Sequence, residues 1–384
     1  MADAMTCDPN TVKDVLNLTD EADALKWEYP VAHIPLLTVV LPFLLLLGLF
    51  SNGTFLFVVF RVRWMRTIVN LYLVNLAVAD LLYLSVSSLD KLGRYMASRV
   101  LDDQFTLGKA GCILVYFTSD TASLASLTVV TLISIERYQA ICRPVRHRLA
   151  RSWRRAAVHL ATGWCVSLLY AGCLVPGTSV FDTSCVIWPD APRYSTYPRT
   201  VGFCAGLNEA AVNAVNGAQT LPFFITLVIN AVLFAKINKQ LNRTKPGNEE
   251  PTFSRAVSRR QAHVRHQVSR MLLLNGVVSF LCLAPWEITS FSTMLSGLIR
   301  PESPILNREQ HLILAQVMRS FVYLNSCINP LVYNAANSRY RKAFRLALCP
   351  CSRRKVEPAN QPETRRRQVT SRTAFESNHQ SNPR

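Results

Sequence analysis

Apolar positions along this chain fall into long blocks, at 34–60, 68–89, 110–135, 157–176, 212–235, 271–298 and 311–334, separated by polar connectors rich in Arg and Lys. Each block is about 20 residues or longer, the length a helix needs to cross a bilayer core of about 30 Å. The pattern predicts an all-α membrane protein. A seven-transmembrane helix bundle occupies 34–334, behind an amino-terminal tail over 1–33. After the last block, Tyr340, Phe344 and Leu348 recur every fourth position among Arg339, Arg341, Lys342 and Arg345. That spacing predicts a short amphipathic eighth helix within 335–351, started by Asn337-Ser338 and lying on the inner face of the bilayer. Cys349 and Cys351 follow it where palmitoyl groups would anchor it. The Arg-, Ser- and Thr-rich remainder, 352–384, reads as a disordered cytoplasmic tail.

Charge then orients the bundle. The first connector carries +3 (Arg61, Arg63, Arg66), the third +6 between Arg143 and Arg155, and the fifth +7, from nine basic and two acidic residues between Lys236 and Arg270. The tail after Asn334 carries +9, from twelve basic and three acidic residues, so the rest of the chain holds −7 of the total +18. Positive connectors stay in the cytosol, which puts the amino terminus outside and the carboxyl terminus inside at the plasma membrane. The same asymmetry accounts for the net charge without a nucleic-acid partner.

Residues 1–30 hold seven acidic residues against Lys13 and Lys26 and lack an apolar core, so no secretory signal is read there and the first helix is its own insertion signal. Two readings of this tail stand side by side, a solvated flexible segment and an acidic lure for a basic ligand. Asn17-Leu18-Thr19 is a glycosylation acceptor on the outer side.

Polar residues inside the blocks carry the functional signal, because an uncompensated polar group in hydrocarbon is costly. Asp80 stands alone in the second block. The seventh holds Asn325, Ser326, Asn329, the helix-breaking Pro330 and Tyr333, and Glu136-Arg137-Tyr138 closes the third. Pro222 and Pro285 interrupt two further blocks. Of eleven cysteines, Cys142, Cys165, Cys173, Cys282 and Cys327 sit in or beside blocks as small apolar residues, whereas Cys7, Cys112, Cys185 and Cys204 fall outside, enough for two bridges. No metal-ligand spacing, phosphate loop, nucleophile triad or carboxylate pair is present to support an enzyme.

Seven spans with an outer amino terminus, Glu136-Arg137-Tyr138 ending the third and Asn329-Pro330-Leu331-Val332-Tyr333 ending the seventh together resemble a rhodopsin-like (class A) G-protein-coupled receptor. The resemblance covers 34 to about 351, and Asn52, Leu76 to Asp80, Trp164, Pro222, Pro285 and Cys112 agree with it. It implies an allosteric sodium site at Asp80, Ser126, Asn325, Ser326 and Asn329, and no other cofactor. It implies an activation region of Glu136, Arg137, Tyr138, Asn329, Pro330 and Tyr333 facing a heterotrimeric G protein, with arrestin as a second cytosolic partner. It favours a Cys112–Cys185 disulfide, with Cys204 as the alternative partner of Cys112 or a partner of Cys7. Three positions depart from the family pattern. Arg265 replaces an acid in the sixth span, Asn230 a tyrosine in the fifth, and Leu283 the tryptophan before Pro285, with Trp286 on the other side. These departures put the usual toggle in question.

For the ligand, no lysine lies between Glu309 and Asn334 to carry a retinal, and the position where amine receptors hold an acid is Ser119, with Asp120 beside it. The fourth-to-fifth connector resembles somatostatin-like receptors around Ser184 to Pro189. Gln267 to Leu272 and Glu136 to Pro144 resemble thyrotropin-releasing-hormone and neuromedin receptors. The expectation is an extracellular neuropeptide, with a small amine or lipid as the alternative and a transporter or channel as a remoter one. The expected pocket is Asp90, Lys91, Ser119, Asp120, Trp286, Glu287, Arg319 and Tyr323. Two readings of its charges remain: contact with a peptide, or mutual neutralisation, as of Asp120 by Arg319.

Overall fold

The computed structural model of the chain describes residues 14–150, 152–243, 253–299 and 308–348. In order, the elements are β1 (Asp14–Asn17), α1 (Glu21–Leu25), α2 (Leu41–Arg61), α3 (Ile68–Ala97), α4 (Gly108–Cys142), α5 (Pro144–Ala150) and α6 (Trp153–Leu174). They continue with β2 (Val180–Ile187), β3 (Thr200–Ala205), α7 (Glu209–Arg243), α8 (Phe253–Ile299), α9 (Arg308–Ala336) and α10 (Ser338–Leu348). Six of the long helices are apolar enough to cross a membrane by length and composition. The seventh, α9, is 29 residues long and has its hydropathy diluted by the polar residues singled out above. Several helices outrun their apolar blocks: α8 begins at Phe253, and α4 runs on to Cys142. Backbone hydrogen bonding carries a helix beyond the lipid, where no apolar pattern marks it.

The long helices close into a ring. α2 packs on α3 and α9, α8 on α7 and α9, and α4 runs through the middle against α3, α6, α7 and α8. Its polarity is the reverse of a water-soluble bundle. Phe43, Leu46, Phe50, Val228 and Leu281 point outward, while Asn52, Asp80, Asn230, Asn275 and Asn329 are buried. That is the arrangement lipid demands. α2 and α3 approach closely at Gly48, where a Cβ would sit 2.5 Å from Leu84 Cδ1 and 3.2 Å from Cys327 Sγ.

Prolines inside helices leave the carbonyl four residues earlier without its donor. For Pro330 that carbonyl is Ser326, and Asn52 Nδ2 of α2 donates to it at 2.8 Å. For Pro222 it is Ala218, and the Tyr170 hydroxyl of α6 donates at 2.8 Å. The eighth helix forms as expected. Asn337 Oδ1 caps it by accepting from Arg339 N at 2.9 Å, and Tyr340 and Ala343 are buried against the bundle.

The flexible-tail reading is corrected for residues 14–33. Strand β1 adds in parallel to β2, Asp14 facing Ser184 and Asn17 facing Ile187, and β2 pairs antiparallel with β3. Leu18, Ala24, Val100, Val186, Tyr194, Tyr197 and Val201 form a separate small core there. Glu28 pairs with Arg193, and Leu101 N donates to Trp27 O at 2.7 Å. The acidic composition masked an alternation, Leu16 and Leu18 facing the small core between exposed Val15 and Asn17, that supplies one strand.

The proline repair gives a direct test. Tyr170→Phe keeps the ring but strips the Ala218 carbonyl of its donor, an unpaired buried acceptor worth about 1–3 kcal/mol. The purified protein should melt at a lower temperature, and an unchanged midpoint would refute the repair.

Candidate functional site

Midway along the bundle, α3, α4 and α9 bring together the residues expected there. Asp80 is fully buried and accepts from Ser126 Oγ at 3.1 Å and from Asn329 Nδ2 at 2.6 Å. Asn325 and Ser326 are buried close by, one turn earlier on α9. The side-chain oxygens of Asn325 and Asn329 are buried without a hydrogen-bond partner among the described residues. A carboxylate with neutral hydroxyl and amide oxygens is the donor chemistry a hard monovalent cation prefers. Among the described residues no cluster of three His, Cys, Asp or Glu is placed to hold a metal ion. Trp164 Nε1 donates to Asn75 Oδ1 at 3.1 Å, fixing α6 to α3.

At one end of this polar column lies Arg137, buried, with Glu136 Oε1 at 3.7 Å. The same Glu136 oxygen is 3.5 Å from His147 Nε2 of α5, a neighbour the sequence reading missed. A cavity of about 250 Å³ opens here, lined by Trp64, Asn70, Arg137, His147, Val268 and Tyr340. Tyr333 is buried against the rings of Phe55 and Tyr340, at 5.6 and 5.9 Å, and the Tyr340 hydroxyl donates to Asn70. Tyr138 is not in this cavity; its ring lies under Arg143 and Lys236, at 5.9 and 6.0 Å. Asn230 replaces the expected tyrosine with a polar tie, its Nδ2 donating to Thr131 Oγ1 of α4 at 2.9 Å. Leu283 is buried in the core, and the side chain of Arg265 lies outside the described residues.

At the opposite end, Tyr83 lies within electrostatic reach of Tyr323, Arg319, Asp120 and Glu287, so these residues share one neighbourhood. Tyr83 and Tyr323 have ring centroids 5.9 Å apart. Asp120 and Arg319 form no direct salt bridge, although Arg319 lies within electrostatic reach of the carboxylate: Asp120 Oδ1 accepts from Gln219 Nε2 at 3.1 Å, and the Arg319 guanidinium lies 4.3 Å over the Trp286 ring. Among the described residues neither Glu287 nor Arg319 has a salt-bridge partner. Ser119 bonds Ser87 across to α3 at 3.0 Å. Asp90 is taken up by Arg94 of its own helix at 2.6 Å, beside a cavity of about 340 Å³ between α3 and the start of α4. Lys91, on the next position, lies within electrostatic reach of Arg319 and Asp102.

The disulfide expectation is corrected. Cys112 is bonded to Cys204, with Cα atoms 5.4 Å apart, and Cys185 belongs to another disulfide. The reason is the order of strands. Gln104 N donates to Gly202 O at 2.7 Å and Gln104 Oε1 accepts from Cys204 N at 3.0 Å, so β3 is the edge strand laid along the connector that leads into α4. Cys185 sits on the central strand, between Val15 and Thr200.

The chain is similar in sequence to several named receptors. The chain is 30% identical over 347 residues to the neuromedin-U receptor 1 of Homo sapiens, covering 87% of this chain and 78% of that one. It is 27% identical over 360 residues to the motilin receptor of Homo sapiens, covering 85% and 84%. It is 29% identical over 360 residues to the growth hormone secretagogue receptor type 1 of Sus scrofa, covering 90% and 91%. Residues 51–333 match the family described as 7 transmembrane receptor (rhodopsin family). With Asp80 in its polar centre, Arg137 below and Cys112 bonded above, the chain belongs to the rhodopsin family of 7 transmembrane receptors.

Proposed function

We propose that this receptor takes an extracellular peptide between Asp120, Glu287 and Arg319 and signals through a heterotrimeric G protein at the Arg137 cavity. The observation that carries the ligand class is a pair of carboxylates and a guanidinium in one neighbourhood with no salt bridge among them. A peptide brings groups of both signs to such a site, its amine or a basic side chain for the carboxylates and an amide or carboxylate for Arg319. The relatives whose names specify neuromedin-U, motilin and growth hormone secretagogue receptors support the same class. Trp286 supplies the aromatic surface beneath Arg319, and Tyr323, Ser119 and Lys91 complete the lining. Asp90 serves the pocket only through its pair with Arg94.

The chemistry is a shift between two packings, driven by a ligand that prefers one of them. On the ligand side the chain's residues bind and orient the peptide. At the far end Arg137, released from Glu136, offers its donors to the G protein and, after phosphorylation of the tail, the same face admits arrestin. A sodium ion at Asp80, Ser126, Asn325, Ser326 and Asn329 would supply a counter-charge to the carboxylate. The unpartnered amide oxygens of Asn325 and Asn329 support that reading. The amino terminus is outside the cell, Asn17 carries a glycan there, and Cys349 and Cys351, which lie outside the described residues, are palmitoylated. Asn17 is exposed on β1, which suits a glycan acceptor.

The agonist is found by screening a peptide library on cells that express the chain with a promiscuous G-protein reporter. Against it, Asp120→Lys, Glu287→Lys and Arg319→Glu should each lower potency at least about tenfold, roughly 1.4 kcal/mol; full potency in all three would refute the pocket. For the ion, the purified receptor should melt higher in sodium chloride than in choline chloride, and Asp80→Asn should abolish the difference. An ion held at ten times its dissociation constant stabilises by about 1.4 kcal/mol, enough to read. On intact cells, a glycosidase should reduce the mass of the wild type but not of Asn17→Gln; equal sensitivity of both would remove the glycan from Asn17.

A further inference from the structure

From the cysteine ledger and the strand register, we infer that Cys7 is disulfide-bonded to Cys185, so that the amino-terminal segment is stapled onto the central strand of the sheet that roofs the ligand side. Cys185 is in a disulfide, and its partner is neither Cys112 nor Cys204, which hold each other. Cys142, Cys165, Cys173, Cys282 and Cys327 are free thiols. Of the eleven cysteines only Cys7, Cys349 and Cys351 then remain. The last two follow α10, whose Tyr340 lines the Arg137 cavity. The end of α10, which they follow in sequence, is separated from β2 by the length of the bundle; α3 alone, at 30 residues, spans about 45 Å. Cys7 precedes β1, the strand that lies directly against Cys185.

Register and reach agree. Val15 faces Cys185 across the β1–β2 pair, so β1 already holds the incoming chain beside the thiol. The side chains of Cys185, Thr183 and Phe181 share one face of β2, opposite the face on which Val186 joins the small core with Leu18 and Val201. Cys7 has to return to that first face from Asp14. Asp8-Pro9-Asn10 lies between them, a set of residues that favours a reversal of the chain. The seven residues from Cys7 to Asp14 reach at most about 23 Å, ample for a return to the neighbouring strand.

With this bond the roof is fixed at two points, β3 to α4 through Cys204 and the amino-terminal segment to β2 through Cys185. The inference does not depend on the class of ligand, and its test uses none.

The full-length receptor, purified from cell membranes with its free thiols alkylated, is cleaved by trypsin, for which Lys13 offers a site between Cys7 and β1. The expected product is a peptide containing Cys7 joined to one containing Cys185, separate from the Cys112–Cys204 pair and parted only by reduction. In Cys185→Ser the Cys7 peptide should appear without reductant and should accept the alkylating reagent. Recovery of Cys7 alkylated from the unreduced wild type, or joined to any other cysteine, would overturn the inference.

Discussion

No backbone carbonyl or carboxylate within the apolar layer of this bundle can turn to water, and much of the packing follows from that. Pro330 frees the Ser326 carbonyl, and Asn52 crosses from α2 to take it. Ser51, its neighbour, donates to Cys327 O at 2.8 Å. Two adjacent residues of α2 are thereby registered against one turn of α9, at the level where Gly48 lets Leu84 of α3 approach. Asp80 ties α3 to α4 through Ser126 and to α9 through Asn329. Four helices are held at one height by hydrogen bonds whose loss would leave buried polar groups unpaired.

From that fixed centre the two ends differ in how they are held. At the Arg137 end Glu136 Oε1 lies near both Arg137 and His147 of the short helix α5, the second contact being an ion pair when the imidazole is protonated. The sixth span offers Arg265, which cannot pair with Arg137. Asn230 and Thr131 join α7 to α4 by a single hydrogen bond in place of a tyrosine. Movement of α8 meets no opposite charge at position 265.

The sequence revealed the spans because lipid imposes one apolar pattern on every outward face, and it revealed Asp80, Arg137 and the Asn325 to Tyr333 stretch because polar groups in such spans stand out. It could not reveal partners supplied from far along the chain. Tyr170 for Ala218, Asn70 for Tyr340 and His147 for Glu136 are ordinary polar residues until the helices are assembled. The disulfide was misread for a related reason. Position in the connector does not say which strand of the β2–β3 hairpin lies against α4, and Gln104, which decides it, sits in a different connector. The tail was misread because its charges dominate its composition, although a few alternating apolar residues suffice for a strand once β2 offers an edge.

The ligand side joins this centre through α9. Arg319 stacks on Trp286 of α8, and one turn further along α9 Tyr323 is fully buried against Tyr83 of α3. Asn325, Ser326 and Asn329 follow on the same helix, so a group that pulled Arg319 off the Trp286 ring would act on the helix that carries three of the five residues of the Asp80 site. In the family pattern a tryptophan before Pro285 stands between pocket and centre; here that position is Leu283, packed in the core, and the aromatic ring has moved to the other side of the proline. In the proposed pocket, the cation–π contact between Arg319 and Trp286 stands where ligand binding and helix movement would meet. Replacing the guanidinium by an ammonium would keep the charge and lose the planar stacking, which separates attraction of the ligand from transmission along α9.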